Sequence, residues 1–549
     1  MQDYNALIRR LTEQNTQLIE ENRRLKDRLD IALNTIVLLR EEVQQLKDEI
    51  AVLKGQKPRP KIPPSALEGS QSKDKQNNKD RLSRGTHPRR KKTRKLEIHT
   101  RSRIKPESIP EGAVFKGCQK FVVQDIILQP YNTVYELERW QMSDGNYLTG
   151  KLPQNIQGHY GPRLIAYSLH QYYGCRVTEP LLFAQLREIG VLISEGQLSN
   201  ILIQNKRSFH QEKNELLPVG IATGQIKVDD TGARHKGKNG YSNIIGNEFF
   251  TSIVSTKSKS RMNFLQILHG SIPQYLINED TVEYMKNLKP ENGLGGYILL
   301  HRPNRAMNQD EWHQFLIKVN ITIENDIKLV TEAALFASLI KNGIPKNLGV
   351  HGDDAGQFDV FVRSLCWVHQ ERHYRKIIPS DDATRKAIEQ VRDEIWNLYK
   401  GLKEYKITQS ASLKIELEQK FEELFLKNKT ISPTLNKQLA KTYAKKEELL
   451  RVLDRPETPL HNNGTETDAR EMVVKKKVSG GTRSDEGRKC RDTFVSLKRT
   501  CSKLGINFLN YLQDRVNKAF EIPTLAQIIA AHAVAQPKMP IKGAFTSTL

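Results

Sequence analysis

Two pairs of adjacent aspartates carry the first hint of chemistry. Asp229-Asp230 follows the apolar run Ile226-Lys227-Val228, and Asp353-Asp354 follows the run Leu348-Gly349-Val350-His351 and Gly352. Carboxylates at the ends of neighbouring strands can converge on one point. Two or three of them make a site for a hard divalent cation such as Mg2+, which prefers oxygen ligands. Two such ions about 3.5–4 Å apart stabilise both the attacking and the leaving oxygen of a phosphodiester. Adjacent strand residues face opposite ways, so only one acid of each pair points into such a site. Asp230 and Asp354 therefore stand as alternatives to Asp229 and Asp353. A further acid, Glu466, sits three residues after Asn463, a spacing that also suits a capping box. Cys366, His369 and His373 are spaced so that one helix face makes them half a metal site. With a single cysteine, packing and support of the acidic centre is favoured over structural zinc. Lys475, Lys476, Lys477, Arg483, Arg488 and Lys489 read as contacts to DNA phosphates or as a solvated helix face.

These residues need rigid elements to hold them. Ile226 to Val228, Ser242-Asn243-Ile244-Ile245 and Phe249 to Val254 are short apolar runs separated by Gly-Asn turns, which predicts a strand, a hairpin partner and a third strand. Residues 257–345 read as mostly helical and Leu348 to His351 as a buried strand. Residues 381–455 read as a helical insertion, followed by a helix carrying Glu466. The order predicts a multidomain α/β chain with a core over 219–380 and 456–520. Residues 521–549 form a tail, either a short helix or a frayed end. Ahead of the core, alternation near Phe121-Val122-Val123 and Asp125-Ile126-Ile127-Leu128 predicts a small β-rich module over 106–160. Residues 161–218 read as helical. There Pro180 suits a first turn, Gly190 a helix end, and Ser194 with Gln197 a capping box. That outline fits a helix-turn-helix, and equally any two packed helices.

Leucines or their equivalents recur every seven residues at Leu11, Leu18, Leu25, Ala32, Leu39, Leu46 and Leu53. Ile8, Asn15, Asn22, Leu29, Ile36, Val43 and Ile50 fill the matching positions. This predicts a coiled coil over 1–55 that forms a homodimer or higher assembly, the two asparagines favouring a parallel dimer. Residues 56–105 read as a basic, disordered linker; 54–105 hold 18 Lys/Arg and 4 Asp/Glu. Arg89, Arg90, Lys91, Lys92, Arg94 and Lys95 form its densest run and read as a phosphate-binding arm. The whole 549-residue chain has net charge +23, which points to a polyanionic partner. No run of about 18 apolar residues exists, so no membrane span is expected. The charged N-terminus does not read as a secretory signal. Five cysteines without a C-x-x-C pair exclude a disulfide scaffold and a four-cysteine zinc finger.

Three long stretches carry a family resemblance. The first is Val228-Asp229-Asp230-Thr231-Gly232-Ala233-Arg234, with Gly237-Lys238-Asn239-Gly240 and Ser258-Lys259-Ser260-Arg261 after it. The second is Gly352-Asp353-Asp354-Ala355-Gly356-Gln357-Phe358, with Leu365-Cys366-Trp367-Val368-His369-Gln370-Glu371-Arg372 after it. The third is Asn462-Asn463-Gly464-Thr465-Glu466-Thr467-Asp468, with Arg470 and the run from Lys477 to Ser484 after it. In these stretches and in its layout the chain resembles the transposases of the insertion sequence 66 family, a group of bacterial DDE transposases. The resemblance implies a ribonuclease-H-like core, a mixed sheet flanked by helices, with Asp229, Asp353 and Glu466 as the catalytic and metal-binding triad. Cys366, His369, Arg372, Asn462, Asn463 and Arg470 are implied as its support, and Lys477 and Arg483 as DNA contacts. Two Mg2+ ions are implied, with Mn2+ able to substitute. The cysteine-rich zinc segment of many members is absent, so no zinc is expected. Asp230 and Thr467 also depart from the family's commoner residues.

The expected activity is strand cleavage at transposon ends followed by transfer of the 3′ end into target DNA. The partners are then double-stranded DNA, a second copy through the zipper, and accessory proteins of the same element. The expected location is the bacterial cytoplasm, at the nucleoid. The rival is a decayed or repurposed transposase acting as a dimeric DNA-binding protein. A third reading is a nuclease or integrase of the same fold.

Overall fold

The structure, a computed structural model, describes residues 20–21, 97–119, 121–156, 158–270, 272–288, 293–428 and 430–535. The heptad segment, apart from residues 20–21, and the basic run from Arg89 to Lys95 lie outside them. The chain divides into two compact units, Lys61–Tyr131 and the remainder.

In the first unit the described residues form no helix or strand. The alternating run at 121–128 is therefore not a strand. Val123, Ile126 and Ile127 are 75% exposed or more, so their alternation has no layer to pack against. The strands found within 106–160 are a short hairpin of the second unit, β1 (Arg139–Gln141) and β2 (Tyr147–Thr149).

The predicted helical region follows. α1 (Pro162–Leu169) continues into a π turn, His170–Gly174. α2 (Glu179–Ile189) begins with Pro180 near its start and ends at Gly190, whose φ of 97° suits a residue without Cβ. α3 (Glu195–Ile203) is capped by Ser194 Oγ, which accepts from the Gln197 N–H at 3.2 Å. α4 (Arg207–Ile221) leads into the sheet.

The sheet has five strands in the order β5-β4-β3-β6-β7. β3 (Gln225–His235), β4 (Lys238–Gly246) and β5 (Thr251–Thr256) form an antiparallel meander. β6 (Gly349–Gly352) and β7 (Val362–Leu365) add to β3 in parallel. Between β5 and β6 run α5 (Arg261–His269), α6 (Glu279–Leu288), α7 (Leu294–Leu300), α8 (Gln309–Lys318) and α9 (Glu324–Lys341). α10 (Trp367–Arg375) follows β7. The insertion is helical, as its periodicity predicts: α11 (Asp382–Thr408), α12 (Ala411–Glu422), α13 (Pro433–Tyr443) and α14 (Lys446–Leu450). In α11 the buried Ile388, Val391, Ile395, Leu398 and Leu402 repeat at three- and four-residue steps. The chain then returns to the core with α15 (Asn463–Ser479), α16 (Asp485–Lys503), α17 (Phe508–Asn517) and α18 (Leu525–Ala535).

Both sheet faces are covered, as a sheet with apolar residues on alternate sides requires. One face contributes Ile226, Val228, Ile245 and Val350 to the main core with Leu216, Phe264 and Val330 from the helices. The other sends Ile244 and Ile253 against Ala469 and Met472 of α15 and Val495 of α16. Neighbours Ile244 and Ile245 thus serve opposite layers, as the pleat dictates.

Candidate active site

The two aspartate pairs sit where the parallel ladder between β3 and β6 stops. Its last pair is Lys227↔His351. Asp229 does not end its strand as expected: β3 runs on to His235 because the hairpin with β4 stays paired as far as His235↔Lys238. What ends beside Asp229 is the ladder with β6. Asp353 is the residue after β6, as predicted.

The pleat distinguishes the members of each pair. Asp229 lies opposite Ile244, and residues directly opposed across a ladder share a face. That face is the one covered by α15, the helix carrying Glu466. Asp230 points the other way, with an ion pair to Lys259 and a hydrogen bond from Gln357. Asp354 pairs with Lys445 and with Arg363 Nη2 at 3.2 Å. Both neighbouring acids are therefore neutralised by the protein itself. Lys259 stands in a motif already noted in the sequence; Lys445, on the loop before α14, had no signal there.

Asp229 feels its surroundings strongly. Burial pushes its carboxyl up to about 7, the Asp230 N–H draws it down, and the charges of Asp353, Asp230 and Glu466 push it up again. Asp229 therefore lies within electrostatic reach of Asp353 and Glu466, although the sequence separates them widely.

Glu466 lies in the first turn of α15. The helix begins at Asn463, with Asn462 in the cap position and no side-chain capping bond, so the capping-box reading of Glu466 is not what forms. Instead Arg372 Nη2 donates to Glu466 Oε2 at 3.3 Å, and His369 Nε2 stands 3.7 Å from Oε1. Oε1 itself is buried without a hydrogen-bond partner. Arg372 Nη1 also donates to His369 Nε2 at 3.1 Å. Burial lowers the His369 pKa, while Glu466 and Asp353 draw it up and Arg372 draws it down. Cys366, fully buried before α10, has its thiol pushed up to about 11 by burial, opposed by the backbone N–H groups of His369 and Asn462.

Asn462 ties α15 to the sheet: its Nδ2 donates to Val228 O at 2.8 Å with the residue fully buried. The Asn463 N–H donates to His461 Nδ1 at 3.4 Å. Arg470 is exposed and has no hydrogen bond or ion pair among the described residues. Lys477 and Arg483 are exposed, and Arg483 lines a groove of about 700 Å³ between α2–α3 and the α15–α16 turn. Lys475 is not part of a solvated face. It is buried, donates to Tyr172 O at 2.7 Å, stands 3.7 Å from the Tyr172 ring centre, and burial lowers its pKa to about 8.

The fold defines a mixed α/β protein whose five-stranded sheet is covered by helices on both faces. The model of the Transposase IS66 family matches residues 356–490. The chain is 37% identical over 316 residues to "Uncharacterized protein y4jO" of Sinorhizobium fredii (strain NBRC 101917 / NGR234), covering 57% of this chain and 98% of that protein. No solved structure matches. The chain belongs to the IS66 family of transposases, and DNA binding goes with that membership. The matched segment includes Glu466 and its neighbours; Asp229 and Asp353 lie outside it. Among the described residues no helix is long and apolar enough to cross a membrane.

Proposed function

We propose that this chain is a DDE transposase with a ribonuclease-H-like core, cutting and joining DNA by metal-dependent phosphoryl transfer at Asp229, Asp353 and Glu466. The observation that carries this reading is that Asp229, on the sheet face covered by α15, is buried close enough to Asp353 and Glu466, from distant parts of the chain, for their charges to add to the effect of burial in raising its pKa. The donor set fits Mg2+ or Mn2+: hard carboxylate oxygens, one of them buried without a hydrogen-bond partner, around an acid whose charged form is disfavoured by burial and by its neighbours' charges. Asp229, Asp353 and Glu466 would hold two such ions, which when bound activate the attacking oxygen and stabilise the leaving one.

The chain's own groups hold the acids in place. β3 and the end of β6 fix the two aspartates on neighbouring strands. Asn462 locks the start of α15 to Val228 O, and Arg372 with His369 orients Glu466. Lys259 and Lys445 neutralise Asp230 and Asp354, which limits the negative charge that an incoming DNA phosphate meets. Exposed Lys477 and Arg483 extend a positive surface from the C-terminal end of α15. The zipper and basic arm read from the sequence would pair two ends and hold their phosphates, with the protein in the bacterial cytoplasm at the nucleoid.

The test is strand cleavage and joining on labelled transposon-end DNA with Mg2+ or Mn2+. Wild type is expected to give metal-dependent products. Glu466→Gln and Asp353→Asn are expected to lose them by more than about a hundredfold while still binding DNA. Binding without cutting by wild type, even with the element's accessory proteins added, favours the binding-protein alternative.

A further inference from the structure

Cys366, His369 and Glu466 present a sulfur, a ring nitrogen and a carboxylate oxygen that all lie within 4.8 Å of one another. Among the described residues this is the group of three His, Cys, Asp or Glu side chains placed to surround an ion. We propose that it is a second metal site, specific for a thiophilic divalent ion such as Zn2+, which shares Glu466 with the Mg2+ centre and so shuts the enzyme off when filled. The competition rests on the catalytic reading above; the metal binding does not.

The donors suit the ion. Zn2+ takes tetrahedral sets of thiolate, imidazole and carboxylate, at metal–ligand distances of about 2.0–2.3 Å. Donors in such a set stand about 3.3–3.8 Å apart, so closing this one needs shifts of about an ångström. Mg2+ has little affinity for a thiolate and would leave the set alone. One of its atoms awaits a partner: Glu466 Oε1 is buried without a hydrogen bond, 3.7 Å from His369 Nε2. Cys366 sits at the N-terminal end of α10, where the helix dipole favours the thiolate that a bound ion requires. Three donors leave the fourth position for water.

Two things oppose the ion: burial of Cys366, which favours the thiol over the thiolate, and a neighbouring cation. Arg372 is bonded to His369 Nε2 and Glu466 Oε2, so its guanidinium occupies the place of a cation between them. It must swing aside when Zn2+ enters, and so sets the concentration at which the site fills. Filling replaces the Cys366 S–H bond by a sulfur–metal bond and releases one proton to solvent; nothing is oxidised or reduced.

The experiment uses the full chain freed of metal and titrated with Co2+, which reports a thiolate ligand by its charge-transfer absorption. Wild type is expected to develop this band with one ion per chain. Zn2+ should abolish it, and a large excess of Mg2+ should not. Cys366→Ser is expected to lack the band, and His369→Gln to need at least ten times more Co2+. Cys118→Ser and Cys175→Ser, which alter the exposed thiols, should keep it. Circular dichroism verifies folding of each variant. In parallel, Zn2+ is added to the Mg2+-dependent cleavage assay. Inhibition reversed by a chelator is expected, with at least tenfold more Zn2+ needed to halve the activity remaining in Cys366→Ser. No band in wild type, or a band unchanged in Cys366→Ser, overturns the site. A band in wild type with cleavage indifferent to Zn2+ overturns the competition. A band from a protein that never cuts supports the site and counts against the catalytic reading alone.

Discussion

Asp229 is the residue whose titration reports the site. Its folded carboxyl is raised to about 7 from an ordinary value of 3.8, so between these values the folded chain binds a proton that the unfolded chain has lost. The stability this contributes is fully present below about pH 4 and is lost as pH rises through 7. In metal-free protein, the thermal midpoint of wild type should therefore fall relative to that of Asp229→Asn between pH 5 and 8, and added Mg2+ should remove the difference. A difference that stays flat with pH, or rises, would show that Asp229 is not buried among neighbouring acids as placed. The supporting side chains make a separate prediction. Asn462→Ala leaves the Val228 carbonyl without its buried donor, at about 1–3 kcal/mol in stability. Because it frees the start of α15, cleavage should drop about 10–100-fold, and Arg372→Ala should do the same with little loss of stability. Chemical unfolding alongside the cleavage assay separates the two effects.

Among the elements, the close fit of β6 to β3 sets the position of Asp353. A Cβ on Gly352 would come 2.9 Å from Val228 Cγ2 and 3.3 Å from Val228 O. Gly352→Ala should cost about 1–3 kcal/mol and displace the residue that follows, so cleavage should suffer more than thermal stability does. Unaltered cleavage in this variant would show that Asp353 tolerates movement. The elements are also where reading the sequence succeeded and failed. β3 to β6 were legible because short apolar runs end in Gly and Asn, and the Ser194 cap because its side chain acts locally. The extension of β3 past Asp229 was not, since Thr231 to His235 owe their strand form to pairing with β4 rather than to any apolar pattern. The alternation at 121–128 misled because a strand needs a neighbour as well as a pattern. Of the site, the acids were visible but not their orientation: Asp230 and Asp354 are set apart by Lys259 and Lys445, and Lys445 lies some ninety residues beyond its partner. Glu466 joins Cys366 and His369 across a hundred residues, a distance over which periodicity carries no information.

For the whole molecule, charge and assembly govern behaviour. With a net charge of +23, DNA binding should weaken steeply with salt, by about 0.9 logarithmic units per tenfold salt for each phosphate neutralised. Removing residues 56–105 should flatten that slope by several units, measured by fluorescence anisotropy across a salt series. Removing residues 1–55 should turn the dimer expected from the heptads into a monomer by light scattering; a truncated protein that still runs as a dimer would move the assembly interface elsewhere.

The wide spacing of the acids along the chain also has a consequence in time. A ribosome adding about 5–20 residues per second takes roughly ten to fifty seconds to travel from Asp229 to Glu466. Throughout that interval the nascent protein already carries its basic arm but lacks the helix that completes the proposed catalytic set. On the proposed reading, a transcript broken or frameshifted between codons 105 and 466 would yield a product that keeps the basic arm and lacks the third acid. Such damage to the gene would turn the chain into a competitor of its intact copies, a brake on mobility that arises from the order in which the fold is synthesised.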